Sequence, residues 1–350
     1  MKQILLFLSS IHLLAACTNN LEMLSDSEPK KLIVNALISA DRTDNAIFLA
    51  LSDYREPQLV KNGIIRLYIN NICAETVSEC VHRPNPYTSV YQNYYYPISS
   101  RFHTGDLVRI EVETTDGKYK AHAETRVPEP IEIVEADTLK SDYTLTDILE
   151  KLWVYQSTDL KIGLHIPSAA SPGYYRVNIK NEYTCHLINR NTLQDSTTIH
   201  TYWGCSGYYD MALMDGKPGI PNSQDPGINF IPTINNYYNV FNEAYFTNGE
   251  YTMNIEGYSS FAIDNKLYKT TQITGKAIVI YYAISEEEYQ YLRAANAYAD
   301  HNNSNLLKTP VLFPGNIKGG AGIFAIENPA VTILPLKPIE MKDTAAAGSN

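Results

Sequence analysis

The sequence predicts a mainly β protein, with an N-terminal immunoglobulin-like β-sandwich and a second β-rich domain that carries one α-helix in its C-terminal region. Three observations lead there. From Leu32 onward, short runs of branched apolar residues recur between polar turns. Around Asp116-Gly117, apolar and polar residues alternate strictly on both sides of a turn dipeptide. A helix start stands out at Ser285-Glu286-Glu287-Glu288. Of 350 residues, 44% are hydrophobic and 19% charged, enough to bury a core and incompatible with wholesale disorder. With 28 Lys and Arg against 38 Asp and Glu, the net charge of −10 argues against a nucleic-acid partner, which demands a basic footprint.

The N-terminus reads as an address. Met1-Lys2-Gln3 precedes an apolar run too short to span a bilayer, closed by Leu14-Ala15-Ala16-Cys17. That closure looks like a bacterial lipobox, so residues 1–16 are expected to be a lipoprotein signal peptide and Cys17 the lipidated residue. Residues 17–31 then form a polar tether, with acyl chains as the membrane anchor.

Residues 32–127 form the expected sandwich domain. Leu32–Ile38, Ala46–Leu51 and Ile64–Ile69 are strand-like, and the hairpin at Asp116-Gly117 sets Val112 opposite Ala121 and Ile110 opposite Ala123. Val127-Pro128-Glu129-Pro130 is the natural boundary, because proline interrupts pairing. Residues 131–336 carry further expected strands at Ile131–Ala136, Leu160–Ile166, Tyr174–Ile179, Tyr183–Ile188, Thr197–Trp203, Glu250–Ile255 and Ala277–Ile284. A long Gly/Pro/Asn loop separates Met214 from Ile234. In the expected helix, near 286–300, Ser285 caps a free N–H, Glu288 reaches back, and Tyr289, Leu292 and Asn296 share a face. Residues 337–350 are polar and Ala-rich, and disorder is expected there.

Once Cys17 is set aside, four cysteines remain, an even number that suits an oxidising compartment. Local pairing predicts disulfides Cys73–Cys80 and Cys185–Cys205, the latter across a hairpin centred on Asp195 with Leu187 opposite Trp203. No His or second Cys stands at metal-ligand spacing, and neither a metal nor a cofactor is expected. Gly319-Gly320-Ala321-Gly322 lacks the Lys-Ser/Thr of a phosphate loop, and Gly204-Cys205-Ser206-Gly207 misses the spacing of a nucleophile elbow. Nothing recommends a particular carboxylate pair for glycoside hydrolysis, so a non-enzymatic protein is expected.

The 27 tyrosines against 9 phenylalanines are the compositional outlier. They concentrate in Tyr87, Tyr91, Tyr94, Tyr95 and Tyr96, with further pairs at Tyr174-Tyr175, Tyr208-Tyr209, Tyr237-Tyr238 and Tyr281-Tyr282. Tyrosine favours interfaces and stacking platforms, and it also favours half-buried sheet positions. The Tyr87–Tyr96 segment is the candidate binding surface.

Two C-terminal motifs carry a family resemblance. The first is Ser285-Glu286-Glu287-Glu288-Tyr289-Gln290-Tyr291-Leu292. The second is Asn316-Ile317-Lys318-Gly319-Gly320-Ala321-Gly322-Ile323-Phe324. Together with the lipobox and the opening strand, they resemble the Bacteroidota outer-membrane lipoprotein family called domain of unknown function 4249, over nearly all of the mature chain. Ala321 stands where that family's pattern suggests Leu. The resemblance implies a lipid-anchored outer-membrane protein, accessory to a TonB-dependent β-barrel receptor, and it supplies no catalytic residues. Asp137-Thr138-Leu139 and Asp343-Thr344-Ala345 look like the phylum's O-glycosylation sites. The glycine motif itself reads as a tight backbone approach leading into a buried strand. A glycan- or peptide-binding surface lipoprotein and a fimbrial, adhesin-like subunit are the alternative expectations.

Overall fold

The computed structural model describes residues 29–53, 56–84, 93–167, 173–204, 210–216, 236–303 and 312–341. Cys17, Tyr87, Tyr91 and Cys205 lie outside them, as do the signal peptide and residues 217–235 of the long loop.

The first sandwich is built from β1 (Leu32–Ser39), β2 (Asn45–Leu51), β3 (Gln58–Leu59), β4 (Gly63–Ile69), β5 (Ile72–Val77), β6 (Val81–His82), β7 (Tyr94–Ile98), β8 (Leu107–Thr114) and β9 (Lys120–Arg126). One sheet runs β1-β2-β7-β6 and the other β5-β4-β8-β9. The apolar phase of each strand points between them. Leu32, Val34, Ala36 and Ile38 of β1 meet Ile65 and Leu67 of β4 and Val108, Ile110 and Val112 of β8, all buried. The hairpin pairs as its sequence predicts, Val112 with Ala121 and Ile110 with Ala123. Gly117 takes the left-handed conformation there (φ +67°), and Asp116 accepts from the Thr114 hydroxyl and the Lys118 N–H.

The second sandwich comprises β10 (Glu132–Ile148), β11 (Lys151–His165), β12 (Tyr174–Asn189), β13 (Asp195–Trp203), β14 (Val240–Asn242), β15 (Glu250–Asp264), β16 (Tyr268–Ile284), α1 (Glu286–Asn303), β17 (Gly320–Pro335) and β18 (Ile339–Glu340). The sheet β10-β11-β15 packs on β13-β12-β16 across a core that includes Val154, Ile162, Ile179, Met253, Phe261 and Val279. These strands are longer than their apolar runs. Tyr174–Ile179 and Tyr183–Ile188 are two parts of the single strand β12. The chain between them stays extended because Asn178, Lys180 and Glu182 fall on the outward phase, while Ile179 and Tyr183 point inward.

One strand belongs to both sandwiches. Gly320–Glu327 of β17 runs parallel to β1, from Leu32↔Gly320 to Ser39↔Glu327. The rest, Asn328–Pro335, runs antiparallel to β16. An unbroken ladder therefore joins the two sandwiches, and the first core takes Ile317, Phe324 and Ile326 from the far end of the chain. Asn328 fastens the joint, donating to the Pro128 carbonyl (2.8 Å) and the Thr104 hydroxyl (3.0 Å).

Several expectations are corrected. The β12–β13 hairpin turns earlier than Asp195, because the Asn189 side chain accepts from the N–H groups of Asn191 and Thr192 and folds the chain there. Trp203 consequently faces Lys180, and Cys185 faces Thr198 instead of Cys205. Among the described residues neither predicted disulfide is present: Cys73, Cys80 and Cys185 carry free thiols, and Cys205 lies outside those residues. Cys185 is enclosed in the second core, Cys73 is exposed, and Cys80 packs against the first core. At the end of the chain, Ile339 is buried and pairs with Ile273, so structure persists past Lys337, where disorder is expected. The Thr138 hydroxyl is buried, which removes it as a glycan attachment point.

Candidate functional site

On the sheet β10-β11-β15, outward positions follow from strand phase. Leu152, Val154, Met253, Ile255 and Phe261 point into the core, so Tyr155 and Ser157 of β11 and Tyr258 and Ser260 of β15 point out. The antiparallel register aligns them in rows. Thr144, Tyr155 and Ser260 lie side by side, as do Asp142, Ser157 and Tyr258. The end of β13 closes the flank with Tyr202 and Trp203, held by the Gly204 N–H donating to the Ile179 carbonyl (3.0 Å). The result is an open cleft of about 480 Å³.

Three large aromatic side chains line this cleft with much of their surface in water: Trp203 (56% exposed), Tyr258 (51%) and Tyr155 (43%). Trp153 extends the platform by stacking on Tyr155, with ring centres 6.1 Å apart. Behind this surface, on the inward phase of β11, Gln156 is 4% exposed and donates through Nε2 to the Ser141 hydroxyl (2.7 Å), while its Oε1 has no partner among the described residues. If the amide were turned over, Ser141 would serve the oxygen and leave the NH2 group without a partner, so one polar end stays unsatisfied either way. Ser259 beside it is bonded to the Tyr183 hydroxyl, whose pKa burial pushes up to about 12. The lining holds one carboxylate, Asp142, in an ion pair with Lys140 (2.8 Å).

The predicted tyrosine surface divides. Tyr96 is corrected to a core residue: it is buried, and its hydroxyl accepts from the Gly63 N–H (2.8 Å) and donates to the Val60 carbonyl (3.0 Å). Tyr94 stacks on His82 at 4.3 Å under the Lys61 ammonium, and Tyr95 tilts against Phe48. Tyr175 and Tyr281 are buried sheet residues. The sequence reading passed over Tyr155, Trp203 and Tyr258 because each stands apart in the chain. The available signal was strand phase, since an aromatic on the polar phase of a strand must face water.

The family motifs are structural. Asn316 imitates a strand partner, donating to the Phe324 carbonyl (2.7 Å) and accepting its N–H (2.9 Å). Gly322 (φ +106°) lets β17 lie against β1, where a Cβ would collide with the Val34 carbonyl. Gly319 and Gly320 pass close to the Lys120 and Leu32 carbonyls, where a Cβ would also collide, and Phe324 is fully buried. The Ser285 hydroxyl accepts the Glu288 N–H (3.2 Å) as the cap predicts. Tyr289 and Leu292 pack with Val240 and Ile284, and Tyr291 meets Phe313.

Glu288 departs from the predicted capping box, because its side chain turns inward and is fully buried beside Glu327. Glu327 pairs with Arg176 at 2.5 Å, and that guanidinium sits over the Tyr282 ring. Burial, and secondarily the Glu327 carboxylate, hold the Glu288 pKa well above the usual carboxylate range, with Arg176 opposing. Neither Glu288 oxygen meets a donor, so a protonated Glu288 that donates to Glu327 satisfies the pair. Among the described residues, no group of three His, Cys, Asp or Glu side chains could hold a metal, and no helix is long and apolar enough to cross a membrane.

Fold and site together define a mainly β protein of two sandwiches fused through a shared strand, with an aromatic cleft on the second. The chain belongs to the family described as domain of unknown function (DUF4249), whose profile matches residues 19–332. No curated protein matches the sequence. Two crystal structures of Parabacteroides merdae β-glucuronidase, one with glycerol in its active site, are similar at 8% identity and a TM-score of 0.19. The match covers 73% of this chain but spans only about a quarter of the enzyme (24% and 23%), and a likeness so slight carries no argument.

Proposed function

We propose that the protein is a lipid-anchored, non-enzymatic binding protein of the outer membrane, which captures a ligand in the aromatic cleft and serves as an accessory subunit to a TonB-dependent β-barrel receptor. The cleft carries this reading, with three exposed aromatics beside a row of outward hydroxyls from Thr144, Ser157 and Ser260. Its lining includes one carboxylate, already ion-paired, where two unencumbered carboxyl groups would be needed for glycoside hydrolysis. The Leu14-Ala15-Ala16-Cys17 sequence supports the anchor, and the family likeness supports the receptor. Purification through a C-terminal tag from mild-detergent extracts of outer membrane should recover a stoichiometric β-barrel partner. A Cys17→Ala protein should fail to enter the membrane fraction. Recovery of the protein alone would remove the accessory role, and a Cys17→Ala protein that still fractionates with membranes would remove the lipid anchor.

A further inference from the structure

The cleft's chemistry narrows what it can hold, and this inference rests on reading the cleft as the ligand site. Exposed tryptophan and tyrosine faces offer flat apolar area that water solvates poorly. A ligand suited to them needs an apolar face of similar size. The polar lining is the hydroxyls of Thr144, Ser157 and Ser260 and the carboxylate of Asp142, and the charges at the rim are of both signs: Lys140 pairs with Asp142, Lys180 lies over the Trp203 ring, and Glu256 accepts from the Tyr258 hydroxyl. An anionic ligand would meet Asp142 and a chain of net charge −10. The edge strands β15 and β13 flank the cleft and could add a peptide strand, but such pairing makes no use of the exposed aromatic faces. The volume of about 480 Å³ lies in the ~300–1,000 Å³ range of small-ligand sites.

We infer that the cleft binds a neutral pyranose oligosaccharide, stacking the C–H faces of its sugar rings on Trp203, Tyr258 and Tyr155 and pairing its hydroxyls with those of Thr144, Ser157 and Ser260. The ring supplies an apolar face and a rim of donors and acceptors at once, which is the combination the lining presents.

The test uses the full-length lipoprotein in detergent, with affinity electrophoresis and calorimetry against soluble mixed-linkage β-glucan, xylan, galactomannan, pullulan and dextran, and a proline-rich peptide as comparator. Saturable binding to at least one neutral glycan is expected. It should weaken at least tenfold in Trp203→Ala and in Tyr258→Ala, and several-fold in Ser260→Ala. The two aromatic variants replace exposed side chains, so their melting temperatures should match the parent, which separates lost binding from lost fold. Failure to bind any of the five glycans, or binding indifferent to both aromatic variants, overturns the inference. Peptide binding that depends on Trp203 would overturn the saccharide class while leaving the cleft as the ligand site. Co-purification with the receptor is read independently, so failure of the saccharide assignment and failure of the accessory role remain distinguishable.

Discussion

Replacing Glu288 by Gln should make the protein more stable at neutral pH and nearly unchanged near pH 4.5. Glu288 is fully buried on the first turn of α1, and its oxygens have no donor unless it carries a proton shared with Glu327. Its folded pKa is raised by burial first and by Glu327 second. In the unfolded chain an ordinary glutamate releases its proton near pH 4.3. Above that pH the folded state binds the extra proton, so stability falls as pH rises and keeps falling until the folded pKa is reached. The slope is about 1.4 kcal/mol per pH unit, or up to roughly 3 kcal/mol between pH 5 and 7. A glutamine donates to Glu327 through its amide without taking up a proton and should be free of that penalty. Urea unfolding at pH 5, 6, 7 and 8 measures both proteins. Other titrating groups, such as Asp210, whose pKa burial also raises, are common to both and cancel in the difference. A parent and variant whose stabilities run parallel across this range would refute the shared-proton account, as would a variant less stable than the parent at pH 8.

Further outcomes follow from the same contacts. Gly322→Ala should cost more than about 2 kcal/mol, because a side chain at φ +106° is strained and its Cβ strikes the Val34 carbonyl; thermal melting and faster proteolysis of the N-terminal segment would register it. Tyr96→Phe should destabilise by about 1–3 kcal/mol by stranding the buried Gly63 N–H, with glycan binding unchanged. In the native protein, a maleimide should label Cys73 quickly, and Cys185 only after unfolding. Peptide mapping without reductant that recovers either predicted disulfide would contradict the free thiols.

Much of the fold was legible because its determinants are local. The hairpin at Asp116-Gly117 is specified within twenty residues by a turn dipeptide and alternating phase, and its register is the predicted one. The cap at Ser285 likewise needs only its own turn. The β12–β13 hairpin went astray because the turn depends on one Asn side chain, and choosing the wrong turn moves every cross-strand pair, the supposed Cys185–Cys205 bridge included. Clustering in sequence says nothing of direction: successive residues of Tyr94-Tyr95-Tyr96 face opposite ways, and Tyr96 shares the buried phase of Ile98.

By itself the sequence determined the β class, the strand phases, the helix after Ser285 with its cap, the glycine-rich strand entry and the family. Those are properties of neighbouring residues, where propensity, period and turn chemistry act over a few positions. Only the tertiary structure decided that β17 completes both sandwiches, since its partners β1 and β16 lie on opposite sides of it and one pairing closes across nearly the whole chain. It also decided that Tyr155, Trp203 and Tyr258 share one cleft, and that Glu288 meets Glu327 rather than its own helix end. Such juxtapositions depend on which distant strands are brought side by side, and no local pattern in the sequence records that choice.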